Sequence, residues 1–521
     1  MNVSVKHYNS SYTLYDSDGN GTAFSTPVPH KWLHGDTVHP ESGAIEKRGQ
    51  HKGLVGIVDF INRTGMGFTA RNIPLYLWYP LDVRYPPMIV SSKDKYTINQ
   101  IVTVALEHWD DKRPRAGIME RIGDVGNIEV EKRALLLRTK PWVKPPSNTT
   151  PYSVPNYESY ERTLWDRVCH IDPLGCEDVD DIIAWRKLGS GYEFAIGIAD
   201  VAAWVPYGDE LDTYASVIGQ TIYSNGVVSN PMLPTSLSSH SASLRADGTT
   251  RPVLALCYTI ENGAIVSQRW TRLILAIQTA FTYESVYSDT AVCDTLKGTV
   301  RLISGKRTED SHEWIAELMI AYNSEAGRIL RKSGLGILRA HSGTTNTEWA
   351  DIAEKTGLHE VAWLGSAAGR FVRADEADTT HNGLGLTAYA TASSPLRRYA
   401  DLVNQRALVA ILFSATATAT PTNTIVLPSF IRHLNDRARI AKAYERDLWF
   451  LTNLRTDCVH EVEGVIVRTK ADFVWVYVRQ WKRIVKIRGI GEIGDTVIVR
   501  AHTNLRSTSF DQRIVCSIRS E

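Results

Sequence analysis

The amino-acid sequence predicts a multidomain chain in which small β-barrels flank a central α+β region. Three observations lead there. Before residue 140, GLVGIVDFINRTGMGFTA and NQIVTVALEHWDD show short β-rich runs broken by Gly, Asn and Asp, the pattern of a small barrel. From about 160 to 455 strands mix with long helical patterns. In HEWIAELMIAYNSEAGRILRKSG, for example, Ile315, Leu318, Met319, Tyr322, Ile329 and Leu330 lie close to one helical face. After 459 the chain alternates apolar and polar residues in GVIVR, DFVWVYVRQW and DTVIVRAH, which again fits a short barrel.

The boundaries follow from the segments between these patterns. PWVKPPSNTTPYSVPNY, residues 141–157, is rich in proline and polar residues and reads as a linker. SATATATPTNT, low in complexity, reads as an exposed loop ahead of a second helical pattern, FIRHLNDRARIAKAYERDLWFLTNL. The expected organisation is therefore a partial first barrel at 1–50, which is short for a complete one, and a second barrel at 51–140. A linker at 141–160, a central α+β domain at 161–455 and a C-terminal barrel at 456–521 follow.

Composition narrows the function classes. A chain of 521 residues with 43% hydrophobic content can bury sizeable cores. No apolar run approaches a membrane span, and the N-terminal residues lack the character of a signal peptide. The six cysteines are scattered without C-x-x-C spacing, so reduced thiols and a cytoplasmic or nuclear setting are expected, without a zinc site. No internal repeat or P-loop is present. The net charge of +1 hides local asymmetry: between Gly464 and Gly489 seven Lys and Arg residues face Asp472 alone, a local charge of +6. In that span Trp475 and Tyr477 alternate with Val474, Val476 and Val478. We expect the aromatic face outward, as a platform on which bases stack beside Arg479 and Lys482; aromatics inward is the alternative.

Two motifs carry chemistry. HIDPLGCEDVDDIIAW, residues 170–185, gathers Asp172, Glu177, Asp178, Asp180 and Asp181 with no Lys or Arg among them. Packed carboxylates repel one another, and hard divalent ions such as Mg²⁺ or Mn²⁺ prefer oxygen ligands of this kind. A short loop would turn Asp172 back toward the later aspartates. In HNGLGLTAYATASSPLRRYADLVNQR, residues 381–406, Ser393 and Ser394 can cap a helix opening at Pro395, with Arg397 and Arg398 in its first turn. Free backbone N–H groups and a forked guanidinium there would welcome a phosphate.

Together, DPLGCEDVDD and SSPLRRYADLVNQR closely resemble the paired signatures of the ribonuclease II (RNB) family of exoribonucleases, in a form similar to its eukaryotic exosome-associated branch. GIADVAAWVP, PMLPTSLSSHSASL, FTYE and AELMIAYNSEA follow in the family's order, and the resemblance runs from about residue 50 to the end. It implies cold-shock-type OB barrels, an RNB catalytic domain and a C-terminal S1-type OB barrel. It further implies Mg²⁺-dependent (or Mn²⁺-dependent) hydrolysis of single-stranded RNA from the 3′ end to nucleoside 5′-monophosphates.

By the same resemblance Asp172, Asp178, Asp180 and Asp181 serve the metal, with Asp180 the aspartate most needed for cleavage; their division between two ions stays open. Arg397 would clamp the scissile phosphate, while Arg398 is either structural or a second phosphate contact. Tyr223 matches an aromatic that holds the 3′-terminal nucleotides, and Tyr283 and Glu317 match positions touching the RNA end. Two departures stand out: Gln405 replaces a histidine, and the entry to the arginine segment is ASSP. Without the PIN domain of exosome relatives, a monomer not stably tethered to an exosome is expected. The rival readings are an RNA-binding protein on a silent RNB scaffold and a Mg²⁺-dependent nuclease that prefers DNA.

Overall fold

The structure, a computed structural model, describes residues 1–8, 11–16, 20–24, 31–62, 66–141, 143, 145–146, 155–341, 347–358, 369–413, 426–454, 459–508 and 512–519. Residues 142, 144 and 147–154 of the expected linker, the whole low-complexity stretch 414–424 and Cys458 lie outside them. Two compact units form: Met1–Trp142 with Thr344–Ala367 and Arg439–Glu521, and Val143–Gly343 with Ala368–Ala438. Residues 347–358, within the stretch read as the central domain, thus fall in the first unit. Among the described residues no helix is long and apolar enough to cross a membrane.

In the first unit, β1 (Asn2–His7), β2 (Ser11–Tyr15), β3 (Gly21–Phe24), β4 (Thr37–Val38) and β5 (Ile45–Lys47) make a sheet in the order β3-β2-β1-β4-β5. Next, β6 (Leu54–Val58), β7 (Leu75–Pro80), β8 (Met88–Ser91), β9 (Gln100–His108) and β10 (Arg115–Asp124) close into a barrel around Trp78, Met88, Val102 and Val104. Helix α1 (Ile128–Thr139) begins where Asn127 Oδ1 accepts the N–H groups of Glu129 and Val130, the usual N-cap arrangement.

The second unit is built on a six-stranded sheet. Its strands are β11 (Arg167–Asp172), β12 (Asp181–Leu188), β13 (Gly191–Ala199), β16 (Thr250–Glu261), β17 (Ala264–Ala276) and β18 (Thr279–Thr282), with the hairpin β14 (Ile222–Ser224) and β15 (Val227–Asn230) between. The order is β17-β16-β13-β12-β11-β18, antiparallel except for the β11–β18 pair. Alternation sends successive side chains to opposite faces. Ile182, Ala184, Ala195 and Val253 join one core, which includes Leu211 and Tyr214 of α2 (Glu210–Ile218). Ile183, Phe194, Ile196 and Leu254 join another, under α3 (Thr290–Ser304) and α4 (Ser311–Ser333). On α4 the expected face holds: Ile315, Leu318, Tyr322 and Leu330 are buried, and Met319 and Ile329 pack partly against that core. Helix α5 (Tyr399–Phe413) contributes Leu402 to the first core and Leu408 to the second, and a helix buried on most sides places its few polar residues deliberately. A short pair, β19 (Ile337–Ala340) with β20 (Arg370–Arg373), completes this unit.

The chain ends in β21 (His460–Lys470), β22 (Phe473–Val478), β23 (Arg483–Arg488), β24 (Thr496–Thr503) and β25 (Ile514–Ile518), ordered β23-β22-β21-β24-β25. This is a β half-barrel, in which Val474, Val476 and Val478 pack inward with Ile466 and Ile487. The expected stacking platform needs correction. Tyr477 is buried with Ile352 and Leu358 of the segment 347–358, and Trp475 packs partly against the same cluster. The alternation was read rightly, but both faces of β22 are covered, one by valines within the half-barrel and the other by a helix from a distant stretch of sequence. Phe473, at the start of the strand, is the aromatic that stays exposed.

Candidate active site

β11 ends at Asp172 and β12 begins at Asp181, and the two strands are antiparallel neighbours. The loop between them therefore lies at the end of these strands and returns Asp172 toward the later aspartates, as the spacing predicts. Gly175 takes φ +83°, a conformation that favours glycine. Ser243, fully buried, ties the loop down: its Oγ donates to the Glu177 carbonyl (2.7 Å) and accepts the Val179 N–H (3.0 Å).

The partners of the four aspartates differ. Asp180 is buried and accepts the Leu396 N–H (2.9 Å) at Oδ1 and Arg397 Nε (3.0 Å) at Oδ2. Burial pushes its carboxyl up to about 7 and Asp178 adds to this, while Arg397 and the Leu396 N–H pull the other way. Asp181 is held well above the usual carboxylate range, first by burial and then by repulsion from Asp172 and Asp180. Asp172 Oδ2 lies 2.8 Å from His170 Nδ1. Asp178 accepts a hydrogen bond from the Tyr223 hydroxyl. Glu177 faces solvent and contributes its carbonyl alone. Burial and the aspartates raise the Cys176 thiol far above its ordinary value, which disfavours the thiolate.

Four carboxylates, two of them pushed toward the protonated form by burial and by each other, have the donor chemistry of a hard divalent cation site. Among the described residues no three side chains already converge as a metal-binding group. The reason is local: Asp172 is turned to His170, Asp178 to Tyr223, and Asp180 to Arg397 and Leu396. The residues fit the ion in kind, and their present directions are those of carboxylates with other partners.

The arginine segment corrects the expected helix start. The helix begins at Tyr399, and residues 395–397 form a turn ahead of it. The Leu396 N–H is diverted to Asp180, and the Ser394 carbonyl accepts from Arg397 N–H (3.3 Å) and Arg398 N–H (3.0 Å). Ser394 does not cap through its hydroxyl; its N–H donates to Asp401 Oδ2 (2.9 Å), and its Oγ accepts Arg397 Nη2 (2.9 Å). Arg397 is thus fixed at two points while 41% of its side chain stays exposed. Arg398 Nη2 pairs with Asp401 Oδ2 (2.7 Å).

Several supports were invisible in the sequence. Asn323 on α4 accepts the Ala392 N–H (2.8 Å) and donates to Ser393 Oγ (3.0 Å). Asn404 spans the Thr391 and Ile337 carbonyls. Gln405 is buried, accepting the Ala202 N–H (2.9 Å) and donating to the Ala199 carbonyl (2.7 Å). All three lie inside quoted motifs, but a buried amide bonding to backbone has no spacing signature. Thr221 N–H donates to the Arg397 carbonyl (2.9 Å), which ties the arginine turn to the strand bearing Tyr223.

Among the remaining candidates, Tyr283 lies just past β18, beside Asp172, and stacks on His312. Glu317 is buried on α4 and paired with Lys306. Asp172, Asp178, Asp180, Asp181, Arg397, Tyr223 and Tyr283 are thus brought into one neighbourhood, through the bonds above and the effect of Asp181 and Asp172 on the Tyr283 hydroxyl. Trp475 and Tyr477 belong to the other unit.

The RNB domain profile matches residues 162–290 and 287–414, and that of the Dis3-like cold-shock domain 2 matches residues 75–140. Exoribonuclease 2 of Aeromonas hydrophila is 26% identical over 351 residues, 53% of this chain and 51% of the relative. The probable exosome complex exonuclease RRP44 of Caenorhabditis elegans is 29% identical over 234 residues, 42% of this chain and 24% of the relative. The chain spans about half the length of the bacterial relative and less of the nematode one. Among solved structures, the apo form of Mycoplasma genitalium RNase R superposes with a TM-score of 0.78 at 17% identity, covering 99% of this chain and 100% of its own. Yeast Ssd1, described as a pseudonuclease, gives 0.70 at 15% identity, covering 98% and 80%. At these identities the superpositions speak of fold alone. The acidic loop and the arginine turn both fall within the matched domain, and the chain belongs to the RNB family.

Proposed function

We propose that this chain is a divalent-metal-dependent exoribonuclease that hydrolyses single-stranded RNA from the 3′ end to nucleoside 5′-monophosphates. The observation that carries the reading is the convergence of Asp180 and Arg397 at the mouth of the acidic loop. Arg397, held by Asp180 and Ser394 yet partly exposed, is oriented to receive a phosphate without freezing a loose side chain at the moment of reaction. Asp172, Asp178, Asp180 and Asp181 would hold Mg²⁺ or Mn²⁺, which when bound makes a coordinated water more acidic and offsets charge on the phosphate. Tyr223 orients Asp178 through its hydroxyl, and Glu317 can accept a hydrogen bond from a ribose 2′-OH. The relatives' names support an exonuclease acting on RNA; direction of attack and product rest on the resemblance of the sequence motifs to the family.

One observation favours a second reading, RNA capture without cleavage: the fold is shared with a protein described as a pseudonuclease. A time course on matched 5′-labelled RNA and DNA oligonucleotides, with and without Mg²⁺, separates the two. Progressive shortening of RNA with Mg²⁺ supports the nuclease. Binding of RNA with no shortening in any condition supports capture, and faster shortening of DNA overturns the RNA assignment.

A further inference from the structure

Among the four aspartates, Asp172 is the one paired with an imidazole. It closes β11, and in the parallel ladder with β18 His170 faces Ala280 and Asp172 faces Thr282. Two residues apart on one strand, the side chains of His170 and Asp172 project from the same side of the sheet. Val168, on that side, belongs to the first core, whereas Cys169 and Ile171 belong to the second. The sheet therefore sets both Cβ positions, and the imidazole meets the carboxylate without a loop having to fold over it.

The pair is close and largely sheltered. His170 Nδ1 lies 2.8 Å from Asp172 Oδ2, and only 10% of the His170 side chain and 16% of that of Asp172 are exposed. An ionised carboxylate can only accept, so the imidazole donates through Nδ1. Asp180 has both oxygens engaged, by the Leu396 N–H and by Arg397. The bond from His170 uses Oδ2 of Asp172 alone, so it can persist when the other oxygen turns to an ion. Both residues also line a cleft of about 380 Å³ with Cys176, Val179 and Arg245, and the pair thus borders space that water and ions can enter.

We propose that His170 is a positioning residue for the divalent ion: its imidazole fixes the direction of the Asp172 carboxylate and so sets how tightly the ion is held. The inference rests on the metal-dependent exoribonuclease reading and deepens it. A loose carboxylate gives up rotational freedom when it ligates an ion, and one already hydrogen-bonded through its second oxygen has less to lose. Removing a hydrogen-bond partner of this kind typically weakens metal affinity roughly 10- to 100-fold. In this role His170 touches neither the phosphate nor the ribose and acts through Asp172 alone.

The test measures Mn²⁺ binding to the full chain without RNA, from the EPR signal of the free ion, and then RNA shortening across a Mn²⁺ titration. His170→Ala should bind Mn²⁺ roughly 10- to 100-fold more weakly than wild type, and its turnover should recover toward wild type as Mn²⁺ is raised in proportion. His170→Asn, whose side-chain amide can donate to Asp172 in place of Nδ1, should bind Mn²⁺ like wild type. Equal loss in both variants would make the imidazole a ligand or a packing group, and unchanged binding in His170→Ala would remove it from the site. Either result overturns the inference, as does turnover in His170→Ala that no Mn²⁺ concentration restores. Failure of the underlying reading looks different: the variants would rank as expected in Mn²⁺ binding while wild type shortens no RNA.

Discussion

The arginine turn at 394–398 and the aromatic strand at 473–478 carry equally plain sequence patterns, and the fold treats them differently. Asp180 and Arg397 lie 217 positions apart and meet at 3.0 Å. Trp475 and Tyr477 alternate as expected but are packed under the segment 347–358. The difference is physical. A buried carboxylate must be paired, protonated or bound to a cation, so a carboxylate cluster and an arginine elsewhere in the same domain constrain each other. An aromatic ring gains by burial against any apolar surface, so alternation says which residues share a face and nothing about what covers it.

The comparison breaks first at its strongest point. Asp180→Asn should abolish detectable RNA shortening while leaving RNA affinity within a few-fold, and Arg397→Lys, which keeps the charge but not the fork, should lose roughly 10²–10³-fold in turnover. Single-turnover kinetics alongside filter binding reads both quantities. Parallel loss of binding and cleavage in Asp180→Asn would make the residue a structural anchor, and near-normal turnover in Arg397→Lys would remove Arg397 from phosphate handling.

On the other side, Tyr477→Ala should behave as a core truncation. Removing a fully packed aromatic ring typically costs about 3–5 kcal/mol, which should appear as a lower urea midpoint for the unit containing β22. RNA affinity, measured where the variant is still folded, should stay close to wild type. A variant that keeps its stability and loses affinity would restore the stacking platform to Tyr477.

The same logic explains what was legible. The acidic loop, the helix Ser311–Ser333 and the alternating strands were readable because local spacing fixes them. The helix start at 395 was misread because Pro395 and two serines are good local signals, while the group that overrides them, Asp180, is 216 residues from Leu396. Asn323, Asn404 and Ser243 went unassigned for a related reason: each bonds to backbone or loop groups brought close by the fold alone.

Tyr223 lies between the two cases, since it carries both a ring and a polar handle on Asp178. Tyr223→Ala should leave long RNA degraded at a similar initial rate but stop at a longer final oligonucleotide, consistent with losing roughly 1–3 kcal/mol of stacking on short ends. Tyr223→Phe should keep the end product and lower turnover modestly, because only the hydrogen bond to Asp178 is lost. If the two substitutions give the same end product as wild type on a denaturing gel, the ring is a support for Asp178 and not an RNA contact.

The smallest effect is expected at Phe473, on the same face of β22 as Tyr477 but at its open end. Phe473 is 37% exposed, and the Lys486 ammonium sits 4.0 Å from its ring centroid. An exposed cation–π contact of this kind is worth about 0.5–1 kcal/mol, and little apolar area is lost on truncation. Phe473→Ala should therefore shift the urea midpoint far less than Tyr477→Ala. A ring and basic side chains remain accessible here, so the same substitution should weaken RNA binding a few-fold, with the effect shrinking as salt is raised and the basic residues lose their hold. Destabilisation equal to that of Tyr477→Ala would mean that the aromatic face is covered along its whole length.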